Sequence, residues 1–313
     1  SENIAIGGSY NTASSSLTTP HGIFGDYYVY VRTDSTNRIN EYLFENNNIS
    51  RSEGTVNIVL SPPPDLIITD ITIPNSASAN QAINVQWSAE NQGPGATFEP
   101  AWNDCIYLST SSTFDAQTAT LLAMVPQTTL LDPNGTYSNQ QSVRIPTDIV
   151  GAFFIFVEID CKNQVFEHDY ENNNILQAAT TIEIFTPDLN ASEINVSPSA
   201  SSGKPVSISW TAGNIGNGDL ISRNWNDVVY LSTSSVLNKT TATKLGTFTQ
   251  TRTLAPNENY TVQTSVILPN GISGKHYFFV VVDDTNAVFE NNSEANNTIG
   301  MTSPISVELN PWP

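Results

Sequence analysis

The chain has 313 residues and a formal net charge of −19, with only 11 lysines and arginines. Such an acidic surface repels phosphates, which argues against nucleic acid or an anionic membrane as a partner. No apolar run approaches the roughly 18–20 residues needed to span a bilayer, so we expect no membrane span in this sequence. Charged residues make up only 13% of the chain, and a surface built from Asn, Ser, Thr and Gln is typical of extracellular β-proteins.

A segment rich in Asp, Glu and Asn occurs three times along the chain. It lies at residues 34–48, 160–174 and 283–297, and each copy follows a short run of aromatic and aliphatic residues. We call this segment the acidic loop. Self-similarity at a regular spacing is the sequence signature of a modular array, so we interpret the chain as a string of similar modules.

The spacing of the repeat defines the expected domains. The segment Trp102–Thr110 returns as Trp225–Thr233, an offset of 123 residues. The first acidic loop precedes the second by 126 residues, but nothing upstream of it matches the Trp-Asn-Asp segment. We therefore expect residues 1–63 to be the C-terminal half of a truncated module from a longer chain. Two modules should follow at residues 64–187 and 188–313.

Within each repeat the pattern predicts an all-β fold. Short runs rich in Ile, Val, Thr, Tyr and Phe alternate with clusters of Gly, Pro, Asn, Asp and Ser, and no segment carries a sustained helical stripe. The strands predicted for the first full module are Leu66–Ile73, Ile83–Ser88, Cys105–Leu108, Leu121–Val125, Tyr137–Ile145, Phe153–Ile159 and Ile175–Phe185. About seven short strands per repeat predict tandem immunoglobulin-like β-sandwich modules.

Prolines mark the predicted joints between modules. Pro62-Pro63-Pro64 and Thr186-Pro187 lie at the two boundaries. Proline fixes φ and lacks a backbone donor, so it ends a strand and stiffens the connection. Linkers this short predict a semi-rigid rod in which the partners of each module are the neighbouring repeats.

Two pairs of tryptophans recur at the 123-residue offset. Trp87 and Trp210 fall inside predicted strands, where recurrence more often marks core packing than a sugar-binding platform, so we assign both to the structural core. Trp102 and Trp225 stand before Asn-Asp at a strand start. For this second pair a core position and an exposed platform both remain open.

Both cysteines of the chain lie in the first full module. Cys105 begins one predicted strand and Cys161 follows the end of another, and these strands would be antiparallel neighbours in an immunoglobulin-like sandwich. A disulfide is therefore geometrically reasonable, and it would indicate an oxidising, exported location. The alternative is two unrelated small residues, because Val228 and Asp284 occupy the matching positions of the next repeat.

Catalytic patterns are missing from the sequence. His21, His168 and His276 do not recur at equivalent repeat positions, so no His-centred metal site or Ser-His-Asp triad is visible. The chain also contains no Gly-rich phosphate loop and no nucleophile elbow. We therefore predict that the chain is not an enzyme.

The acidic loop is the one constellation with candidate chemistry. Its carboxylate and amide oxygens are ligands that calcium prefers, although the spacing is not that of an EF-hand. The alternative, which we favour, is that Asp and Asn cap the turn through hydrogen bonds to the backbone. No cofactor is certain, and calcium is the candidate cofactor. The candidate ligands are Asp34, Asn37, Glu41, Glu45, Asp160, Asn163, Glu167, Glu171, Asp283, Asn286, Glu290 and Glu294.

Taken together, the repeated motifs resemble a known family. Pro-Asp-Leu opens a module at Pro64 and Pro187, the Trp-Asn-Asp segment lies in the middle, and an aromatic run with the acidic loop closes it. This combination resembles CARDB, the cell-adhesion-related domain found in bacteria. The resemblance covers residues 65–187 and 188–308, and the back half of a module in residues 1–63. It implies immunoglobulin-like sandwiches, repeated in long exported surface proteins, and it implies no particular ligand.

The resemblance leads to two functional hypotheses. The first is a non-catalytic section of a large bacterial cell-surface or secreted protein, acting as an adhesin stalk or surface filament. Its partners would be neighbouring repeats, other copies in a fibre, or a ligand on a host or cell surface. The alternative is a set of accessory modules attached to a secreted hydrolase, with carbohydrate as their candidate ligand. Both hypotheses place the chain outside the cell or on its surface.

Overall fold

The fold is known from a computed structural model that describes residues 4–14, 16–98 and 101–310, without the side chains of Glu45 and Ser222. The N-terminal region contains four short strands and a 3-10 helix over Glu45–Asn47. These strands are β1 (Gly25–Tyr27), β2 (Tyr30–Arg32), β3 (Ile49–Arg51) and β4 (Val56–Ile58).

The first full module contains nine strands and a 3-10 helix over His168–Tyr170. Its strands are β5 (Leu66–Thr72), β6 (Ser76–Ser78), β7 (Ala82–Asn91), β8 (Trp102–Ser109), β9 (Thr120–Gln127), β10 (Thr136–Arg144), β11 (Gly151–Glu158), β12 (Ile175–Gln177) and β13 (Ile182–Phe185).

The second full module repeats this order, with a 3-10 helix over Glu294–Asn296. Every strand start except that of β17 lies 123 residues after its counterpart. The strands are β14 (Leu189–Val196), β15 (Ser199–Ser201), β16 (Pro205–Asn214), β17 (Leu220–Ser232), β18 (Thr243–Leu254), β19 (Asn259–Ile267), β20 (Gly274–Val281), β21 (Thr298–Gly300) and β22 (Ile305–Glu308).

Each full module is a sandwich of two sheets. In the first, β7 lies between β5 and β10, and the other sheet has the order β6-β13-β11-β8-β9 with β12 beside β11. All pairings are antiparallel except β6 with β13, and the second module has the same arrangement. β5 with β6, and β12 with β13, are each one interrupted pass of the chain. The seven passes confirm the predicted immunoglobulin-like architecture.

The last predicted strand is longer than either of the two strands that the structure contains there. The run Ile175–Phe185 is broken at residues 178–181, because its two halves have different neighbours. β12 pairs with the second half of β11 alone, whereas β13 lies between the first half of β11 and β6. After the break the chain lies between β11 and β6, so that β13 forms hydrogen bonds along both of its edges.

Residues facing inward between the sheets form one core per module. Trp87 and Trp210 are 2% and 0% exposed and occupy equivalent positions in β7 and β16. A second, smaller cluster lies on the outer face of β17 and β20 in the last module, built around Tyr230 and Phe279. Burial of these large aromatic and aliphatic side chains is the main source of stability in such a fold.

The N-terminal region reproduces part of this sandwich. β1 pairs with β4 and β2 with β3 in the registers that β11 keeps with β13 and β12. The side chains that would face the core are exposed to solvent, however. Val29 and Val31 are 41% and 59% exposed, whereas their counterparts Ile155 and Val157 are fully buried. Within the described residues, this region therefore presents an apolar face.

Candidate functional site

The acidic loop begins with a turn that accounts for the Asp and the Asn that recur in all three copies. Asp160 and Asn163 both have positive φ, at 49° and 51°, and the N–H of Asn163 donates to the Asp160 carbonyl at 2.8 Å. Apart from glycine, Asn and Asp tolerate this left-handed conformation best. The Asp-x-x-Asn spacing is thus a requirement of the backbone, and the Asn163 side chain itself points to solvent.

Both carboxylate oxygens of Asp160 accept hydrogen bonds from the backbone of the same turn. The N–H of Gln164 donates to Oδ1 at 2.9 Å and that of Val165 to Oδ2 at 2.6 Å. Burial raises the pKa of the Asp160 carboxyl, while these two donors oppose the rise. The side chain acts here as a cap of the kind that Asp commonly forms in turns.

Glu167 links the acidic loop to the first strand of the module. It is fully buried; its Oε2 accepts the Leu66 N–H at 2.6 Å and its Oε1 accepts the Asn174 side-chain amide at 2.8 Å. Desolvation raises the pKa of Glu167 to about 8, against the backbone donor Leu66. Because Leu66 and Glu167 are 101 residues apart, this contact closes the end of the sandwich.

A second contact joins the same two segments. The side-chain amide of Asn173 donates to Asp65 at 2.8 Å, and the amide of Gln92 donates to the other oxygen of that carboxylate at 3.0 Å. The Pro-Asp-Leu motif and the Asn-Asn pair therefore meet in space. Their joint occurrence in each repeat follows from this contact.

The third acidic loop repeats the turn of the second and its contact with the first strand of the module. Asp283 and Asn286 have φ of 46° and 51°, and Asp283 accepts the N–H groups of Ala287 and Val288 at 2.9 and 2.7 Å. Glu290 accepts the Leu189 N–H at 3.1 Å, and desolvation raises its pKa to about 8. Glu294 accepts the Asn297 amide at 3.0 Å.

The first acidic loop contains the same turn. Asp34 and Asn37 have φ of 43° and 49°. Asp34 accepts the N–H groups of Arg38 and Ile39 at 2.8 and 2.9 Å, and the bond from Ile39, more than that from Arg38, lowers its pKa. Glu41 is half-buried, and the side chain of Glu45 lies outside the described part of the structure.

The calcium candidates are thus brought close together only in part. The charge of Glu171 helps to raise the pKa of both Asp160 and Glu167, after desolvation, and Glu171 accepts the Glu167 N–H at 2.9 Å. Among the described residues, no group of three or more His, Cys, Asp or Glu side chains is arranged to hold a metal ion. The observed contacts are those of turn caps and loop-to-strand ties.

A buried polar network inside each core was not anticipated from the sequence. In the first full module, Oδ2 of the fully buried Asp104 accepts from Trp87 Nε1 at 2.9 Å, Gln127 Nε2 at 3.0 Å and the Tyr137 hydroxyl at 2.6 Å. Desolvation raises the pKa of Asp104 to about 6, and the Tyr137 and Trp87 donors oppose this. We call this set the aspartate hub.

The last module contains the same hub. Asp227 accepts from Trp210 at 2.9 Å, Gln250 at 3.1 Å and Tyr260 at 2.8 Å. Trp225 is buried and donates to the Tyr260 hydroxyl at 3.2 Å. Trp102, at the equivalent position, is also buried, so neither of these tryptophans forms an exposed platform. The hub residues could have been found from the 123-residue offset, which they all obey.

Cys105 and Cys161 form a disulfide, with their Cα atoms 5.8 Å apart. The bond ties β8 to the start of the acidic loop that follows β11. In the last module the position of Cys161 is taken by Asp284, which accepts from the Tyr230 hydroxyl at 3.0 Å and pairs with Lys239 at 2.7 Å. The two modules thus fasten the same pair of strands by different chemistry.

These features define a tandem array of immunoglobulin-like modules, each with a buried polar network centred on one oxygen of an aspartate. The CARDB family model matches residues 63–178 and 186–300, which together make up most of the chain. The chain therefore belongs to the CARDB family. CARDB is a non-catalytic domain family associated with bacterial cell surfaces.

Several solved structures resemble part of the chain at low sequence identity. The crystal structure of the CARDB domain of the PF1109 protein from Pyrococcus furiosus, in complex with di-metal ions, is 21% identical, with a TM-score of 0.30. The match spans 40% of this chain and 97% of the PF1109 domain. The solution NMR structure of the same domain matches over the same shares, with 21% identity and a TM-score of 0.29. A β-glucosidase from Listeria innocua is 16% identical over 40% of this chain and 16% of that chain, with a TM-score of 0.25. No curated protein matches the chain.

Proposed function

We propose that this chain is a non-catalytic section of an exported bacterial surface protein, and that its modules act as the stalk of an adhesin or as part of a surface filament. The proposal rests on membership of a family of that character and on the tandem order of two modules. The acidic composition and the disulfide fit an exported protein, because disulfides persist in oxidising compartments.

The observation that carries the proposal is that the buried carboxylates form hydrogen bonds within their own module. The aspartate hubs and the buried glutamates of the acidic loops are directed inward, where each accepts hydrogen bonds from its own module. A catalytic or ligand-binding carboxylate would instead face a cleft with its oxygens open to a substrate. Here the buried aspartates and glutamates hold strands and loops in place, as a spacer module requires.

Localisation on intact cells tests the proposal. An antibody raised against the full chain should label unpermeabilised cells of the source organism, and brief treatment with an external protease should remove the label. An antibody against a cytoplasmic protein is the control and should label only lysed cells. Labelling that appears only after lysis would contradict a surface location and with it the stalk function.

Among the residues that the structure describes, no helix is long and apolar enough to cross a membrane.

A further inference from the structure

The linker in front of each full module lies against two glycines of the loop that joins the second and third passes of the chain. A Cβ on Gly95 would overlap the Pro62 carbonyl, and a Cβ on Gly93 would lie 2.6 Å from the carbonyl carbon of Pro64. The N–H of Gly95 also donates to the Pro63 carbonyl at 3.0 Å. Only glycine lets the two backbones approach this closely.

The second joint is built in the same way. A Cβ on Gly218 would lie 2.7 Å from both the Phe185 oxygen and the Thr186 nitrogen, and one on Gly216 would lie 2.6 Å from the Asp188 nitrogen. The N–H of Gly218 donates to the Thr186 carbonyl at 3.0 Å. Each linker is thus held along a backbone surface of the module that follows it.

One buried asparagine per module fixes this surface. Asn91 Oδ1 accepts the Asp65 N–H at 3.0 Å, and its amide donates to the Gly95 and Leu131 carbonyls at 2.8 and 3.1 Å. Asn214 makes the equivalent bonds, at 3.0 Å from Asp188 and at 2.8 and 3.0 Å to the Gly218 and Leu254 carbonyls. Both asparagines are fully buried, so these bonds are shielded from water.

The preceding module touches the same loop from the other side. The N–H of Asp219 donates to the Ser78 hydroxyl at 2.8 Å, and the Asn80 amide donates to the Ile221 carbonyl at 3.1 Å. Arg223 lies 3.6 Å from Asp148 in the loop between β10 and β11. The last module is therefore held both through its linker and by direct contact with its neighbour.

Equivalent residues meet at the first joint. His21, which matches Thr147, stacks on Phe98 with ring centroids 4.4 Å apart. Phe98 matches Ile221, and Thr147 and Ile221 line one small cavity at the second joint. At both joints, the loop before the aromatic strand of one unit packs on the glycine-bearing loop of the next.

We infer that this glycine-bearing loop is a docking surface for the C-terminal end of the preceding repeat, and that both joints hold consecutive repeats in the same orientation. The partner of the surface is the end of a CARDB repeat with its extended linker. The inference concerns the geometry of the array, and it holds whatever the array presents or attaches to.

Distances between spin labels on the full chain test the inference. Asn57, Glu183 and Ser306 occupy equivalent positions in β4, β13 and β22. The pair Asn57→Cys/Glu183→Cys spans the first joint and Glu183→Cys/Ser306→Cys spans the second. The native cysteines are bonded to each other, so under non-reducing conditions only the new thiols take the label.

We expect both joint pairs to give the same mean distance. Each distribution should be as narrow as that of Gln263→Cys/Ser306→Cys, a reference pair inside one module. A joint distribution broader than the reference, or two different means, would overturn the inference.

Gly218→Val should broaden or shift the second distribution, because the added side chain must displace the linker. Gly54→Val is the matched control, since a Cβ on Gly54 meets nothing within 4 Å, and it should change nothing. If Gly218→Val disturbs folding, as judged by tryptophan fluorescence, Ser78→Ala replaces it, because it removes the contact to Asp219 from the opposite side. An unchanged distribution in a folded variant of either kind would also count against the docking surface.

Discussion

The core of each full module contains a buried aspartate that accepts hydrogen bonds from uncharged side chains. Asp104 and Asp227 have no cation beside them in the described structure, and three neutral side chains donate to each. Hydrogen bonds to an ionised acceptor are stronger than neutral ones, and here they offset part of the desolvation of the carboxylate, whose pKa still rises to about 6. The hub therefore contributes to the unique packing of the core, because its donors hold one arrangement of side chains.

Replacing Asp104 with Asn should destabilise the first full module by about 1–3 kcal/mol, because a neutral amide oxygen accepts the three hydrogen bonds less strongly and the amide N–H groups would be buried at the Oδ1 position, which has no hydrogen-bond partner. Urea unfolding followed by near-UV circular dichroism measures the effect. Asp227→Asn should affect the last module in the same way. Asp169→Asn is the control, since that side chain is 85% exposed, and an equal loss of stability there would argue against a special role for the hub.

Stability should fall as the pH rises through the titration of the buried glutamates. The pKa of Glu167 is about 8 in the folded chain and 4.5 for an ordinary glutamate, so between these values the folded state holds a proton that the unfolded state has released. Folding is then favoured at low pH, and about 1.4 kcal/mol is lost per unit of pKa difference as the pH rises. Unfolding free energies at pH 5 and pH 9 should show the decrease.

Glu167→Gln should flatten that pH dependence for the first full module, because glutamine does not titrate. The exposed Glu53 provides the control, and Glu53→Gln should leave the slope as it is. A slope that survives in Glu167→Gln would mean that other groups cause the pH dependence.

Local chemistry at the residue scale was readable from the sequence, whereas long-range partners were not. The Asp-x-x-Asn spacing suggested turn caps because Asp and Asn bond to nearby backbone, and Asp160 does so within five residues. Glu167, in contrast, bonds to Leu66, and this contact exists only once the first and last strands lie side by side. Residue types alone carry no information about that closure.

At the scale of single elements, the disulfide joins β8 to the start of an acidic loop across 56 residues of sequence. Its removal by Cys105→Ala/Cys161→Ala should lower the unfolding free energy of the first full module by roughly 2–4 kcal/mol, because the unfolded chain regains the entropy of an open loop. Calorimetry should show a lower transition temperature for that module and an unchanged one for the last. Equal shifts in both modules would contradict this assignment.

Calcium should have little effect on the acidic loops if they act as caps. The oxygens of Asp160 and Asp283 already accept backbone N–H groups, so an ion would have to displace these bonds. We expect thermal melting to be unchanged on calcium titration, with magnesium as the control. A large rise that chelator reverses and that Glu290→Gln weakens would establish the loops as calcium sites instead.

The elements themselves were predictable to the extent that their side chains alternate locally. All seven predicted runs of the first full module contain observed strand, because β-branched and aromatic residues pack on a pleated surface. The interruption between β12 and β13 was missed, because it depends on pairing with β6 about 100 residues earlier in the chain. The break consists of Ala178, Ala179, Thr180 and Thr181, and none of these residue types signals a turn.

At the scale of the whole molecule, the N-terminal region differs from the two closed sandwiches. Its exposed apolar side chains should bind the dye ANS, and the full chain should therefore show ANS fluorescence in native buffer. A variant lacking residues 1–61 should lose most of this signal while the melting of the two modules stays close to that of the full chain. Strong ANS fluorescence in the shortened variant would place the apolar surface elsewhere.

The parallel pairing of β6 with β13, and of β15 with β22, has a mechanical consequence. In each sandwich the first pass of the chain runs through β5 or β14 into β6 or β15, and the last pass ends in β13 or β22. Once tension on the two ends has detached β5 or β14, it therefore pulls the parallel strands past each other along their length. Their hydrogen bonds are then loaded together in shear and do not open one at a time like a zipper. Because forced unfolding is governed by the rate of barrier crossing, such modules should hold under load much longer than hairpins of equal stability. Single-molecule pulling on the full chain should give two separate rupture events, one per sandwich, and pulling through linkage points that peel β13 from β6 should give markedly lower forces.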